Sequence, residues 1–174
     1  SILNLCKKNF KPLFIPCFDK SRDERFPKKK WQKITKQPQI IIFEGWCVGA
    51  KAQKKKSLKK PINVLEKNYD ANLKWRLKVN HELKTEYKKI FNKIDRLIFL
   101  KVPNFECIYK WRLLQEKKLY LTSKGKKIMS PIQIKKFIMY YERITKQMLI
   151  DLTKKAYAVL YLDKKHRFNK IKFN

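Results

Sequence analysis

The sequence predicts an α/β protein in which helices flank a parallel sheet. Four short apolar runs are nearly continuous rather than alternating, which is typical of strands that are covered on both faces. Between them lie longer segments with apolar residues at three- and four-residue intervals, which are typical of helices. The alternation extends over 174 residues, a length that fits one domain.

The predicted strands are short. The first, residues 12–18, carries two prolines, which are expected at the ends of a strand rather than at its centre. The second, residues 39–44, contains three consecutive isoleucines and is the clearest of the four. The third and fourth span residues 96–101 and 156–162. None approaches the ~20 apolar residues of a transmembrane helix, so no membrane partner is expected.

Three helices are predicted between these strands. Residues 73–90 and 105–121 carry apolar residues at helical spacing. A third helix covers residues 130–152 and begins with a clear start signal. Ser130 is a favourable N-cap, and Pro131 suits the first helical position because its missing N–H has no helical partner there.

The charge balance is strongly basic. Lysine and arginine number 45 against 14 acidic residues, which gives a net charge of +31. Two lysine-rich runs, at 27–31 and 51–56, favour binding to the phosphate backbone of a nucleic acid. Only seven of the basic residues are arginines, although arginine is preferred for reading bases. The aromatic residues also fall mostly in apolar periodic segments, which argues against a base-stacking surface. Nucleic-acid binding is therefore the alternative function, and no nucleic-acid partner is expected.

The four cysteines point to a reducing compartment. They lie far apart, without a C-x-x-C pair, so neither a disulfide scaffold nor a zinc site is expected. Lysines interrupt the apolar patches at the start of the chain, so no secretory signal is expected there. We therefore expect a cytoplasmic protein.

Two carboxylates fall at the ends of predicted strands, where open α/β sheets bind ligands. Asp19 follows the first strand, and Glu44 ends the second and precedes Gly45. Such acids suit the water shell of magnesium or a general base. The alternatives are that Asp19 caps a turn and that Glu44 pairs with a lysine.

Several motifs resemble the D-glycerate 3-kinase-like P-loop kinases, which are related to uridine kinase and phosphoribulokinase. They are Phe-Asp-Lys-Ser at 18–21, Phe-Glu-Gly-Trp at 43–46 and Trp-Arg-x-x-Gln-Glu at 111–116, and further matches extend over nearly the whole chain in the right order. The resemblance implies a P-loop kinase fold, with residues 1–174 as the C-terminal part of a single kinase domain. It also implies ATP-dependent phosphorylation of a small hydroxy acid such as D-glycerate, with ATP and Mg²⁺ as cofactors.

The resemblance further implies roles for individual residues. Asp19 is similar to the carboxylate that orients the acceptor hydroxyl and takes its proton, and Glu44 to the acid that holds water on magnesium. Lys20 and Arg25 are similar to residues that offer charge to the substrate carboxylate or the transferring phosphoryl group.

Three residues of the predicted helices complete this set. Arg112 resembles a lid arginine that neutralises phosphate charge, and Arg76 and Asn80 are candidates for substrate contact. As the alternative for Arg112, an ion pair with Glu116 is favourable at a spacing of four residues. Arg143 is interpreted as a surface residue. The tryptophans interpreted as core are Trp46, Trp75 and Trp111.

One feature of such kinases is absent from the sequence. Their phosphate-binding loop needs G-x-x-x-x-G-K-[ST], and glycine occurs only at positions 45, 49 and 125. In the resembling family this loop precedes the segment that matches Ser1. We therefore predict an N-terminally truncated kinase that lacks the P-loop strand and is inactive alone. A decayed kinase fold that serves as an interaction module is the third hypothesis.

Overall fold

The computed structural model describes residues 2–5, 7–19, 24–122 and 128–174. Contacts divide the chain into one compact unit at Ser1–Glu44 and another at Gly45–Asn174. None of the helices within these described ranges is long and apolar enough to cross a membrane.

The first unit is built from short antiparallel strand pairs. β1 (Leu13–Ile15) pairs with β4 (Gln32–Ile34), and β2 (Phe18–Asp19) pairs with β3 (Glu24–Arg25). The predicted strand at 12–18 is thus divided between two pairs, with a break at Pro16, which has no N–H to donate. The unit also contains α1 (Ile2–Leu5) and a 3₁₀ turn (Lys28–Lys30).

The prediction of a strand at residues 39–44 is wrong. The segment has no regular secondary structure, and Ile40 and Ile42 are 80% and 87% exposed. An apolar run becomes a strand only where a neighbour supplies hydrogen-bond partners. No strand in the described part of the chain pairs with this segment.

The second unit contains a mixed three-stranded sheet in the order β5-β6-β7. β5 (Ile98–Lys101) runs parallel to β6 (Ala158–Leu162), which confirms the third and fourth predicted strands. β7 (Phe168–Phe173), which was not predicted, pairs antiparallel with β6. The sheet is therefore not wholly parallel.

One face of this sheet is buried and the other is open. Phe99 and Val159, which are register partners, lie on the core side. Ile98 and Leu100 project from the opposite face and are more than half exposed. The expectation that the strands are covered on both faces is thus wrong for β5. β5 also lies at the edge of the sheet.

The helices follow the predicted pattern with two changes. The predicted helix at 73–90 divides at Thr85 into α4 (Lys74–Lys84) and α5 (Glu86–Phe91). Two short helices precede it, α2 (Lys55–Lys59) and α3 (Val64–Tyr69). The helix at 105–121 is confirmed as α6 (Phe105–Thr122).

The longest helix, α7 (Pro131–Lys155), begins where the sequence predicted. Ser130 accepts a hydrogen bond from the backbone N–H of Gln133, and the Gln133 side chain accepts one from the Ser130 N–H, which forms a capping box. Met148 and Leu152 of this helix pack in the core cluster with Val159 of β6. α7 is thus the helix on which the buried face of the sheet rests.

Candidate functional site

The β2–β3 hairpin displays the acidic residue predicted to be catalytic. Asp19 is half-buried and is the register partner of Glu24, whereas Arg25 is the partner of Phe18. Because neighbouring strand residues alternate between faces, Asp19 and Arg25 lie on opposite faces of the hairpin. Lys20 lies outside the described residues. Glu44 is exposed at the end of the first unit.

Arg112 is held on α6 by its own helix. Its Nη2 lies 2.6 Å from Glu116 Oε1, and its Nη1 donates to Gln115 Oε1 at 2.7 Å. The ion pair with Glu116 was the alternative given by the spacing, and it is present. The Nε–H of Arg112 is buried without a hydrogen-bond partner among the described residues.

Glu116, the ion-pair partner of Arg112, is itself held in place by a second contact. Its side chain is buried, and Oε2 accepts a hydrogen bond from the Met129 N–H at 3.1 Å. One carboxylate thus binds both Arg112 and the chain just before α7.

Arg76 is buried among partners from three elements. Its Nε donates to Asp70 Oδ2 and its Nη1 to the carbonyl oxygen of Leu58, both at 2.8 Å. A further N–H donates to the Asp70 carbonyl oxygen, and Glu66 lies 3.7 Å from Nη1. The guanidinium is therefore occupied by the protein, and Arg76 joins α2 to the start of α4.

Arg143 completes this buried network, and its interpretation as a surface residue is wrong. Its Nε and Nη2 donate to the two oxygens of Glu66 at 2.7 and 2.6 Å. It also donates to the carbonyl oxygens of Ser57 and Lys60. No signal in the sequence points to this pair, because Arg143 and Glu66 lie 77 residues apart along the chain.

The two acids of the network stay ionised. Burial alone raises the pKa of Glu66, but hydrogen bonds from Arg143 and the Ile62 N–H, with the charges of Arg143 and Arg76, lower it below its usual value. Burial likewise opposes ionisation of Asp70, and hydrogen bonds from Arg76 and from the backbone N–H groups of Trp75 and Arg76 bring its pKa below the usual value. The network is therefore two carboxylates paired with two guanidinium ions.

Asn80 binds the protein backbone rather than facing an open site. Its Oδ1 accepts from the Gln53 N–H at 2.7 Å, and its Nδ2 donates to the Gln53 carbonyl at 3.1 Å. The Gln53 side chain donates in turn to Gln147 of α7 at 2.9 Å. Gln53, just before α2, is thus bound to α4 through Asn80 and to α7 through Gln147.

The tryptophans differ in their environments. Trp46 stacks on Tyr141 at 4.8 Å and donates to Thr145 Oγ1, and Phe137 lies edge-on to it. Trp111 contacts the ring of His166 and is partly buried. Trp75 is 66% exposed, so its interpretation as core is wrong.

Among the residues that the structure describes, no group of three or more histidines, cysteines or acids is close enough to hold a metal. Magnesium keeps several waters and needs only one or two carboxylates beside substrate phosphates. A single carboxylate such as Glu44 therefore fits this ion, whereas the chain offers no glycine-rich cradle for the phosphates of a nucleotide.

Comparison with known proteins settles the fold. No family model matches the chain. The superposed structures include a D-glycerate 3-kinase from Cryptococcus neoformans, with a TM-score of 0.70 at 17% identity over 94% of this chain and 60% of that one. The chain has a D-glycerate 3-kinase-like fold. The YGR205w protein gives the same TM-score at 25% identity, over 94% of this chain and 59% of that chain.

Sequence relatives agree with this D-glycerate 3-kinase-like fold. An uncharacterized kinase of Schizosaccharomyces pombe, mug58, is 32% identical over 133 residues, which are 73% of this chain and 46% of the relative. The chloroplastic D-glycerate 3-kinase of Arabidopsis thaliana is 26% identical over 145 residues, 81% of this chain and 29% of the relative. The resemblance predicted from the motifs is confirmed. The chain spans less than half the length of these two curated relatives.

Proposed function

We propose that this chain is part of a kinase that phosphorylates the hydroxyl group of a small hydroxy acid, D-glycerate first. One observation carries the proposal: a sequence relative and a superposed structure both bear the name D-glycerate 3-kinase. The Phe-Glu-Gly-Trp motif at 43–46 and the Trp-Arg-x-x-Gln-Glu motif at 111–116 also support it.

In this proposal Asp19 accepts a hydrogen bond from the acceptor hydroxyl and takes its proton as the oxygen attacks. Lys20 and Arg25 supply positive charge to the acid substrate. Arg25 lies on the opposite face of the hairpin from Asp19, so the strand geometry does not by itself bring these two side chains to one small substrate. Glu44 would hold Mg²⁺ through the water shell of the ion, and the ion would supply positive charge to the phosphates.

Arg112 supplies positive charge to the transferring phosphoryl group. Its guanidinium is fixed by Glu116 and Gln115. A donor held in place beforehand stabilises developing charge without reorganisation. When bound, ATP supplies the phosphoryl group and Mg²⁺ neutralises its charge.

We assign Arg76 and Asn80 as positioning residues rather than substrate contacts. Their side chains bind Asp70, Leu58 and the Gln53 backbone. They therefore hold residues 53–76 in a fixed arrangement.

The phosphate cradle lies outside these 174 residues in this proposal. The unpaired edge of β5 supports a further strand beside it, since the free backbone N–H and C=O groups of an edge strand are a site for strand addition. We propose that this strand carries the P-loop.

The test is turnover by the natural polypeptide that contains these residues. We expect ADP release that depends on D-glycerate, and a loss in kcat of about 100-fold or more for Asp19→Asn. Glu24→Gln, at the register partner of Asp19, is the matched control and keeps wild-type turnover. Equal turnover by both variants contradicts the role of Asp19, and the absence of glycerate-dependent turnover contradicts the substrate.

A further inference from the structure

We propose that the surface formed by α2 and the α3–α4 turn binds single-stranded nucleic acid. This activity goes beyond the proposed kinase function and does not depend on it. The sequence argued against a base-stacking surface because the aromatic residues fall in apolar periodic segments. Trp75 and Tyr69 are nevertheless 66% and 72% exposed, and Arg76, which follows Trp75, is hydrogen-bonded to Leu58 within the lysine-rich segment.

The lysine run forms a ridge without compensating acids. Residues 51–78 contain two acids, Glu66 and Asp70, and both are buried in pairs with Arg76 and Arg143. Within the described part of the chain, none of the ridge lysines forms an ion pair. All are exposed, and we call the following set the lysine ridge: Lys51, Lys54, Lys55, Lys56, Lys59 and Lys60.

The ridge is held in a fixed arrangement by its backbone. Leu58 is 1% exposed and anchors α2 to the fold. Arg76 binds the carbonyl oxygen of Leu58, and Arg143 binds those of Ser57 and Lys60. The side chains of Arg76 and Arg143 thus hold the backbone of the ridge in place, while the ridge lysines are exposed to solvent.

The two exposed aromatic residues, Tyr69 and Trp75, flank the turn between α3 and α4. Asp70, which follows Tyr69, accepts from the backbone N–H of Trp75 at 2.8 Å, so both rings lie on one capping turn. Arg76, the next residue, reaches Leu58 in the ridge. Lys136 adds a cation 5.3 Å from the centre of the Tyr69 ring.

This combination fits single strands better than duplexes. A lysine ridge follows a phosphate backbone, and exposed rings stack on bases that are unpaired. Base stacking tolerates any sequence, which agrees with the scarcity of arginine for base-specific contacts.

Binding is measured by fluorescence anisotropy with labelled single-stranded oligonucleotides of roughly 20 nucleotides, at several salt concentrations. Trp75→Ala should weaken binding roughly 5- to 150-fold, the range for losing one base stack, and Tyr69→Ala should act in the same direction. Tyr120→Ala is the matched control, because Tyr120 is similarly exposed, at 69%, on α6.

The lysine contribution is tested through the salt dependence. Lys55→Gln/Lys56→Gln/Lys59→Gln should lower the slope of log K against log salt by about 2, since each neutralised phosphate of a single strand contributes about 0.7. The control removes the same charge from exposed lysines elsewhere: Lys110→Gln/Lys117→Gln/Lys164→Gln.

Several outcomes overturn the proposal. Equal losses in the ridge and control triple variants indicate attraction to net charge alone. Tighter binding to a duplex of the same length also contradicts it, as does unchanged binding by both aromatic variants. Equal affinity for polyglutamate indicates an acidic protein partner instead. Circular dichroism of each variant confirms that the fold is retained.

Discussion

Removing Glu66 should destabilise the second unit more than any exposed acid does. Glu66 is 6% exposed and accepts two hydrogen bonds from Arg143 and one from the Ile62 N–H. Glu66→Ala leaves Arg143 without its carboxylate and removes one of the two acids beside Arg76. Breaking a buried pair from one side costs about 3–5 kcal/mol.

The expected result is a fall in the free energy of unfolding of about that size, measured by urea denaturation. At about 2–4 °C for each kcal/mol in a chain of this length, the melting temperature falls by roughly 6–20 °C. Glu86→Ala is the matched control, because its pair with Lys89 has the same 2.6 Å separation but both side chains are about two-thirds exposed. That loss should stay below about 1 kcal/mol. A Glu66→Ala loss no larger than the control's would refute the assignment of a buried network.

Two further predictions concern pH and backbone geometry. The pKa values of Glu66 and Asp70 are lower in the folded than in the unfolded state. The stability that these two acids contribute is therefore complete above their unfolded pKa values, about 4, and is lost as the pH falls through the folded values. Asp70→Asn should make the free energy of unfolding fall less steeply with decreasing pH in this range, and plots of that free energy against pH that are parallel for variant and wild type contradict the prediction. Gly49→Ala should cost roughly 1–3 kcal/mol, because Gly49 has φ +82° and a Cβ would lie 2.7 Å from Leu97 Cδ2. Gly45→Ala, whose nearest contact is 3.2 Å, should cost less in the same thermal melts, and equal losses contradict the reasoning.

Local signals in the sequence predicted the helices well. Ser130 and Pro131 placed the start of α7 correctly, because capping depends on residues within one turn. The parallel pair β5 and β6 was also found, since each run is short, apolar and rich in branched residues. The prediction of strands failed where strand formation depends on a neighbouring strand elsewhere in the chain. Residues 39–44 have the apolar content of a strand but no described neighbour to pair with.

The buried network was beyond sequence reasoning for a similar reason. Arg143 lies 77 residues from Glu66, and its helical position alone does not show which face is covered. The exposure of Trp75 was missed because tryptophan in an apolar periodic segment usually packs in a core. For the candidate site, the sequence motifs predicted which helices and strands carry the site residues. Only the structure showed that the side chains of Arg76 and Asn80 bind other parts of the protein.

The central claim is that these residues work as part of a P-loop kinase. The most direct measurement is the intact mass of the native protein, combined with the reading frame upstream of Ser1. The account predicts a native mass well above 21.2 kDa and an upstream strand followed by G-x-x-x-x-G-K-[ST]. A native mass equal to that of these 174 residues would contradict the kinase function.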